Sequence, residues 1–257
     1  MSRMIVFLLL GMFFSRASAD NINLKFCYED DSVYPWITGT NEGLVISEMH
    51  LIEKEVNMHF ELIRLPWKRC QNEVKEGRIH AAIAASFNKD RAKWGSYPVD
   101  SKGMLNKELS LFTDSFFIYR RFDSQIRWQN HRFENLNQQS IGVQLGYSAG
   151  KDLEELGYQV TYYPTSDDLV AVLKSHALDA IVLQNYEAQR LLTLNPDLEK
   201  IMVKEVEPVK VAEQFLLFNA SFYNANTSLV QTIWEAAAKV RKSKTFKDER
   251  AVYLKEK

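Results

Sequence analysis

Apolar residues recur along this chain with two periods, and the switches between them set out its elements. Leu24–Glu29 is a short apolar strand, after which Tyr34, Pro35 and Trp36 break the chain into a loop. Val45, Met49, Ile52 and Val56 fall on one face of a helix. Residues 59–65 alternate as a strand that Pro66 stops, and residues 67–76 form a second helix ended by Gly77. Residues 79–85 are a third strand, small and apolar as buried parallel strands are. Strand, helix, strand, helix, strand predicts a parallel sheet with right-handed crossovers.

An extended apolar segment, 109–120, leads out of this unit, and the pattern then repeats. Strands are expected at 140–144, 159–163 and 180–183, with helices at 149–156, 166–175 and 186–194. Asp167 and Asp168 suit the first turn of the 166–175 helix. Residues 214–219 are again extended and apolar, and two amphipathic helices follow at about 228–241 and 246–254. Two similar α/β units, two extended connections and a helical tail predict two α/β sandwich lobes joined by a two-strand hinge. Lobe 1 takes residues 20–113 plus 214–257, and lobe 2, residues 114–213, is inserted in it. A cleft between such lobes suits closure around a ligand.

The N-terminus changes where this fold is expected to work. Arg3, the apolar run Met4–Phe14 and the small residues Ala17, Ser18 and Ala19 form the three parts of a signal peptide, residues 1–19. The run is too short to span a bilayer, although a short N-terminal anchor is the alternative reading. No cysteine follows the cleavage site, so no lipid anchor is expected, and an exported, periplasmic protein is. Cleavage takes 19 of 257 residues and leaves 238, removing Arg3 and Arg16 and shifting the formal charge from −1 to about −3. Without a basic run or a basic–aromatic stripe, nucleic acid is not an expected partner. Cys27 and Cys70 suggest one disulfide in an oxidising compartment, or else two free buried thiols. The histidines are scattered singly, with no metal-site spacing, and no cofactor is expected.

Candidate chemistry concentrates after two strands. Ala81–Ser86 runs into a polar loop that ends in Arg91, with Asn88 inside it. Ile141–Gln144 runs into Gly146, Tyr147 and Ser148, a glycine turn and a helix start whose free N–H groups can hold an anion. A guanidinium and a helix N-terminus on separate units are what a small carboxylate needs from two sides. For Arg91 the alternative is an ion pair with Asp90 or Glu108, and for Ser86 and Asn88 it is simple turn chemistry. Trp36 is a candidate aromatic lid or interface packing, Trp67 a core residue, and Arg69 one that reaches the cleft or faces solvent.

At these residues the chain resembles the periplasmic solute-binding proteins of amino-acid ABC transporters, family 3. Tyr34, Pro35 and Trp36 look like that family's aromatic loop over the ligand, and Ser86 to Arg91 like its Ser–x–Thr–x–x–Arg, whose arginine takes the α-carboxylate. Gly146, Tyr147 and Ser148 look like its Gly–Thr–Thr, and Leu178 to Val182 like its "VDAVV". The resemblance implies a type II periplasmic-binding fold, a small-molecule ligand, a monomer, and an ABC permease or membrane sensor as partner. Three departures bear on the ligand. Gln184 stands where the family commonly has the acid that pairs the α-ammonium, Ala84 stands where some members have a hydroxyl, and Asn88 replaces the threonine. Either Glu29, Asp30 or Glu187 supplies the charge, or the ligand has no ordinary α-amino group. Relatives of this fold include dehydratases, for which Glu29 and Glu187 are the candidate acids, but with no catalytic motif an enzyme is not expected.

Overall fold

The computed structural model describes residues 23–254 apart from Gln138, so the expected signal peptide lies outside the described residues. Parallel strands β1 (Leu24–Glu29), β2 (Phe60–Leu65) and β3 (Ala81–Ser86) are linked by helices α1 (Leu44–Val56) and α2 (Trp67–Lys75), with β1 between the other two. In α1, Leu44, Val45, Met49 and Ile52 are buried, and the helix ends at Asn57 in the left-handed region. The short β4 (Gly95–Ser96) and the long β5 (Phe112–Arg121) follow.

The second unit opens with a hairpin, β6 (Arg127–Gln129) and β7 (Arg132–Glu134). It continues as β8 (Ile141–Gln144), α3 (Ser148–Glu155), β9 (Val160–Tyr163), α4 (Ser166–Lys174), β10 (Ala180–Gln184) and α5 (Asn185–Leu194). Strand β8 lies parallel to both β9 and β10. Thr165 and Asp168 make a reciprocal capping box on α4. The chain returns along β11 (Met202–Asn219) and ends in α6 (Ala220–Ala225), α7 (Thr227–Lys242) and α8 (Lys244–Leu254).

One sheet runs through the molecule in the order β2-β1-β3-β11-β5-β10-β8-β9, with β5 and β11 antiparallel at its centre. Its apolar clusters separate on either side of that pair. Phe26, Met49, Ile52, Phe218 and Trp234 pack on one face of the first half, and Trp67, Val74 and Phe215 on the other. Ile118, Ile141, Leu153 and Val182 cover one face of the second half, and Leu169, Ile181 and Leu191 the other. The molecule is thus two α/β sandwiches on a two-strand hinge.

Cys27 and Cys70 are joined in a disulfide, Cα–Cα 5.6 Å, which ties β1 to α2 and leaves no free cysteine. Among the described residues no helix is long and apolar enough to cross a membrane.

The structure departs from the sequence expectations at the connections. Strand β11 starts at Met202 rather than at 214, and its register with β5 shifts on both sides of Pro208, which has no N–H for the ladder. Strand β5 starts at Phe112, because Lys107–Leu109 is a 3-10 turn. The β6–β7 hairpin and α6 were not expected.

Candidate functional site

The first half of the site hangs from the end of β3. Ala85 faces Phe215 and Ala82 faces Leu217, so β3 carries one extra residue, a bulge, with Ala84 at φ +61°. A non-glycine residue in that region is held there by its surroundings. Beyond the bulge, the Asn88 side chain accepts from the Asp90 and Arg91 N–H groups at 2.8 and 3.3 Å. Asn88 therefore shapes the turn that presents Arg91. The guanidinium is buried, donates to the Ser86 carbonyl at 2.8 Å and lies 5.4 Å from the Trp67 ring centre. It makes neither of the surface ion pairs entertained from sequence, since Asp90 pairs with Lys93 and Glu108 with Lys242.

The second half is the start of α3. Gly146 has φ +85°, Tyr147 holds the N-cap position without a side-chain cap, and Ser148 is the first helical residue. The two halves touch. Arg91 Nη2 donates to the Gly146 carbonyl at 2.7 Å, Gln71 Nε2 donates to it at 3.2 Å, and the Ser86 and Ser148 hydroxyls are 2.7 Å apart. A Cβ on Gly146 would lie 2.7 Å from the mobile end of Gln71 and 3.1 Å from Trp67, and the φ of +85° is what favours glycine there.

A cluster of acids closes the other side. Glu29, at the end of β1, accepts from Gln144 Nε2 at 2.8 Å and from the Tyr147 hydroxyl at 2.9 Å. Burial pushes its carboxyl well above the usual range, and burial beside Glu29 raises the Tyr147 hydroxyl in turn. Asp31 accepts from the Ser166 N–H at 3.2 Å, at the start of α4. Glu187 is ion-paired with Arg190 at 2.5 Å and accepts from the Tyr34 N–H at 3.1 Å. Its charge is therefore matched within the structure, while Asp30 is exposed.

Gln184 is buried and faces the cleft, with Oε1 3.4 Å from the Tyr147 hydroxyl and Nε2 donating to Asp114 at 3.2 Å. Asp114, on the hinge strand β5, also accepts from Trp36 Nε1 at 3.2 Å, and burial pushes its carboxyl up to about 7. The Trp36 ring stacks on Phe112, centres 3.6 Å apart. A cavity of about 40 Å³ remains, bounded by Glu29, Trp36, Ala84, Arg91, Tyr147 and Gln184. Sequence reasoning overlooked Asp114, which sits between Thr113 and Ser115 like any polar patch in an extended segment; only Trp36 and Gln184, 78 and 70 residues away, mark it. Arg69 is solvent-exposed and Trp67 is buried under Arg91. Among the described residues no group of side chains is placed to hold a metal ion.

Two α/β lobes, a two-strand hinge and a cleft lined from both lobes make up the type II periplasmic-binding-protein fold. No family model matches the sequence, and no curated protein matches it in sequence. Solved structures do match in fold. A histidine kinase sensor domain with similarity to periplasmic binding proteins is 17% identical, with a TM-score of 0.75, over 91% of this chain and 96% of that one. The arginine-, lysine-, histidine-binding protein ArtJ from Geobacillus stearothermophilus is 15% identical, with a TM-score of 0.70, over 91% and 96%. The GluR0 ligand-binding core from Nostoc punctiforme, in complex with L-glutamate, is 14% identical, with a TM-score of 0.69, over 90% and 99%.

Proposed function

We propose that this protein is a periplasmic, non-enzymatic solute-binding protein, exported by a signal peptide at residues 1–19. It captures a small carboxylate-bearing solute by closing lobe 1, residues 20–113 plus 214–257, onto lobe 2, residues 114–213, and hands it to an ABC-type importer. The observation that carries the reading is the meeting of Arg91 with the start of α3 across the cleft, at 2.7 Å. A carboxylate entering there exchanges the Gly146 carbonyl for itself as partner of the guanidinium. It gains the Ser86 and Ser148 hydroxyls and the free N–H groups of the helix. Because these donors belong to both lobes, the ligand favours the closed form by differential affinity. Asn88 acts by holding the Arg91 turn; Trp36, Tyr147 and Gln184 wall the cavity.

The ligand is read as a zwitterion. Glu29 lines the cavity and Asp114 lies behind its Trp36 and Gln184 walls, both buried with no ion-pair partner among the described residues. A ligand ammonium placed beside Glu29 draws that carboxyl into its ionised form, and Glu29 then stands in for the acid the family has where this chain has Gln184. A ligand-sensing role with a membrane receptor is the second reading, favoured by the fold shared with a histidine kinase sensor domain.

The test is a thermal-shift screen of residues 20–257 against amino acids, amines, keto acids and dicarboxylates, followed by calorimetry on the hits. A ligand at a hundred times its Kd adds roughly 2.7 kcal/mol. Arg91→Ala removes a buried charged partner and should weaken a hit by about 2 kcal/mol or more, some thirtyfold in Kd. Unchanged affinity in a folded Arg91→Ala protein would overturn the site. Stabilisation by keto acids but not by amino acids would overturn the zwitterion.

A further inference from the structure

The cavity between the lobes is too small for the solute it is proposed to hold, at about 40 Å³. A groove of about 540 Å³ opens directly beside it, within the size range of ligand sites. Arg91, Tyr147 and Ser148 line both spaces, so the two share a wall, and a carboxylate that takes the place of the Gly146 carbonyl on Arg91 stands between them. The groove, like the cavity, has walls from both halves of the molecule.

Charge distinguishes the two spaces. The inner cavity has Glu29 against Arg91. The groove has Lys68, Lys75, Lys93 and Lys151 besides Arg91, against the single acid Asp90. Asp90 is engaged by Lys93 at 2.6 Å, and Lys151 is engaged by Glu154 at 2.5 Å. Lys68 and Lys75 make no ion pair among the described residues. They stand seven residues apart on α2, with Gln71 and Asn72 between them, and all four line the groove. Spacings of three, four and seven put them on one helical face, so α2 turns a stripe of two ammonium and two amide groups toward α3.

We infer that the solute is an elongated amino acid with a second, distal anionic group, which lies in the groove between Lys68 and Lys75 while its α-carboxylate meets Arg91. This rests on the solute-binding role proposed above and narrows it. The amine end faces Glu29 and the far anion faces the lysine stripe, so charge fixes the direction in which the molecule enters. A monoanionic amino acid of the same length leaves the stripe unmatched.

Matched pairs of probes test this by calorimetry. L-2-aminopimelate is compared with L-2-aminoheptanoate, and L-2-aminosuberate with L-2-aminooctanoate. In each pair only the distal anion differs. At least one dianion should bind the wild-type protein roughly tenfold tighter than its partner, as two solvent-exposed ion pairs allow. The preference should shrink toward unity in 0.5 M salt and in the double variant Lys68→Gln, Lys75→Gln. Equal affinity within both pairs overturns the inference, as does a preference that survives the double variant, or failure of both dianions to bind. Arg91→Ala is the control that separates this from the parent reading. If it weakens both members of a pair while the lysine variant changes neither, the distal anion site is wrong and the solute-binding site stands. If Arg91→Ala leaves binding unchanged, the site itself is wrong.

Discussion

Glu48 offers a test of the structure that does not depend on any ligand. It lies on the buried face of α1, fully inaccessible, and neither carboxyl oxygen has a hydrogen-bond partner among the described residues. Burial pushes its carboxyl well above the usual range, and the nearby Arg241 offsets this only in part. An orphaned buried polar group costs about 1–3 kcal/mol even when neutral. Glu48→Met keeps the length of the side chain, favours the helix and removes the orphan. The variant should gain roughly 2 kcal/mol, which for a chain of this size is about 4–8 °C in Tm. The pH dependence follows from the direction of the shift. The native state holds the Glu48 proton at pH values where the unfolded chain has released it, so the wild type loses stability as pH rises above the unfolded value of 4.5. The advantage of Glu48→Met should therefore widen from pH 4.5 to pH 8. Urea unfolding of both proteins across that range reads the difference directly. A variant that is less stable than wild type, or whose advantage is the same at pH 5 and pH 8, refutes the buried, unpartnered acid.

Asp114 carries the same sign at the hinge. Its carboxyl rises from 3.8 to about 7, so about three units at 1.36 kcal/mol each, roughly 4 kcal/mol, are lost between those pH values. Asp114→Asn should flatten that part of the pH–stability profile; an unchanged profile would count against its burial. Gly146→Ala places a Cβ against Gln71 across the cleft, at φ +85°. It should lower stability by about 1–2 kcal/mol and weaken ligand hits at least tenfold, as calorimetry would show; full affinity would mean the lobes need not approach so closely. Reducing the Cys27–Cys70 bridge, which closes a span of 43 residues, should remove roughly 4 kcal/mol. Urea curves with and without reductant measure it, and coincident curves would show that the bridge does not constrain the chain.

The order of elements was legible because each half-buried face imprints its period on the sequence, as Val45, Met49 and Ile52 do for α1. Arg91 and Gly146, 55 residues apart, were legible as a pair because each follows a buried strand whose end points to one cleft. The bulge at Ala84 was not, since an alanine among alanines gives no hint of its left-handed backbone. Nor was the full length of β11, whose first half is charged and carries Pro208 because it is a hinge rather than a core strand. Glu29 was one of three acids considered as a counter-charge. Only folding separated it from Glu187, which Arg190 neutralises, and from Asp30, which faces solvent.

The hinge ladder has a genetic consequence. Thr113 pairs with Glu213 and Asp114 with Ala212, so the chain leaves the first half and re-enters it at neighbouring points. The stretch between them is topologically one long loop, and excising it leaves the strand order β2-β1-β3-β11 unbroken. Two splices, side by side in space, therefore suffice to graft a foreign second half onto the Arg91 half. Recombination at that seam can reshuffle half-sites without redesigning a core. Chimeras of this kind would show how far the solute preference proposed above is inherited in two separate pieces.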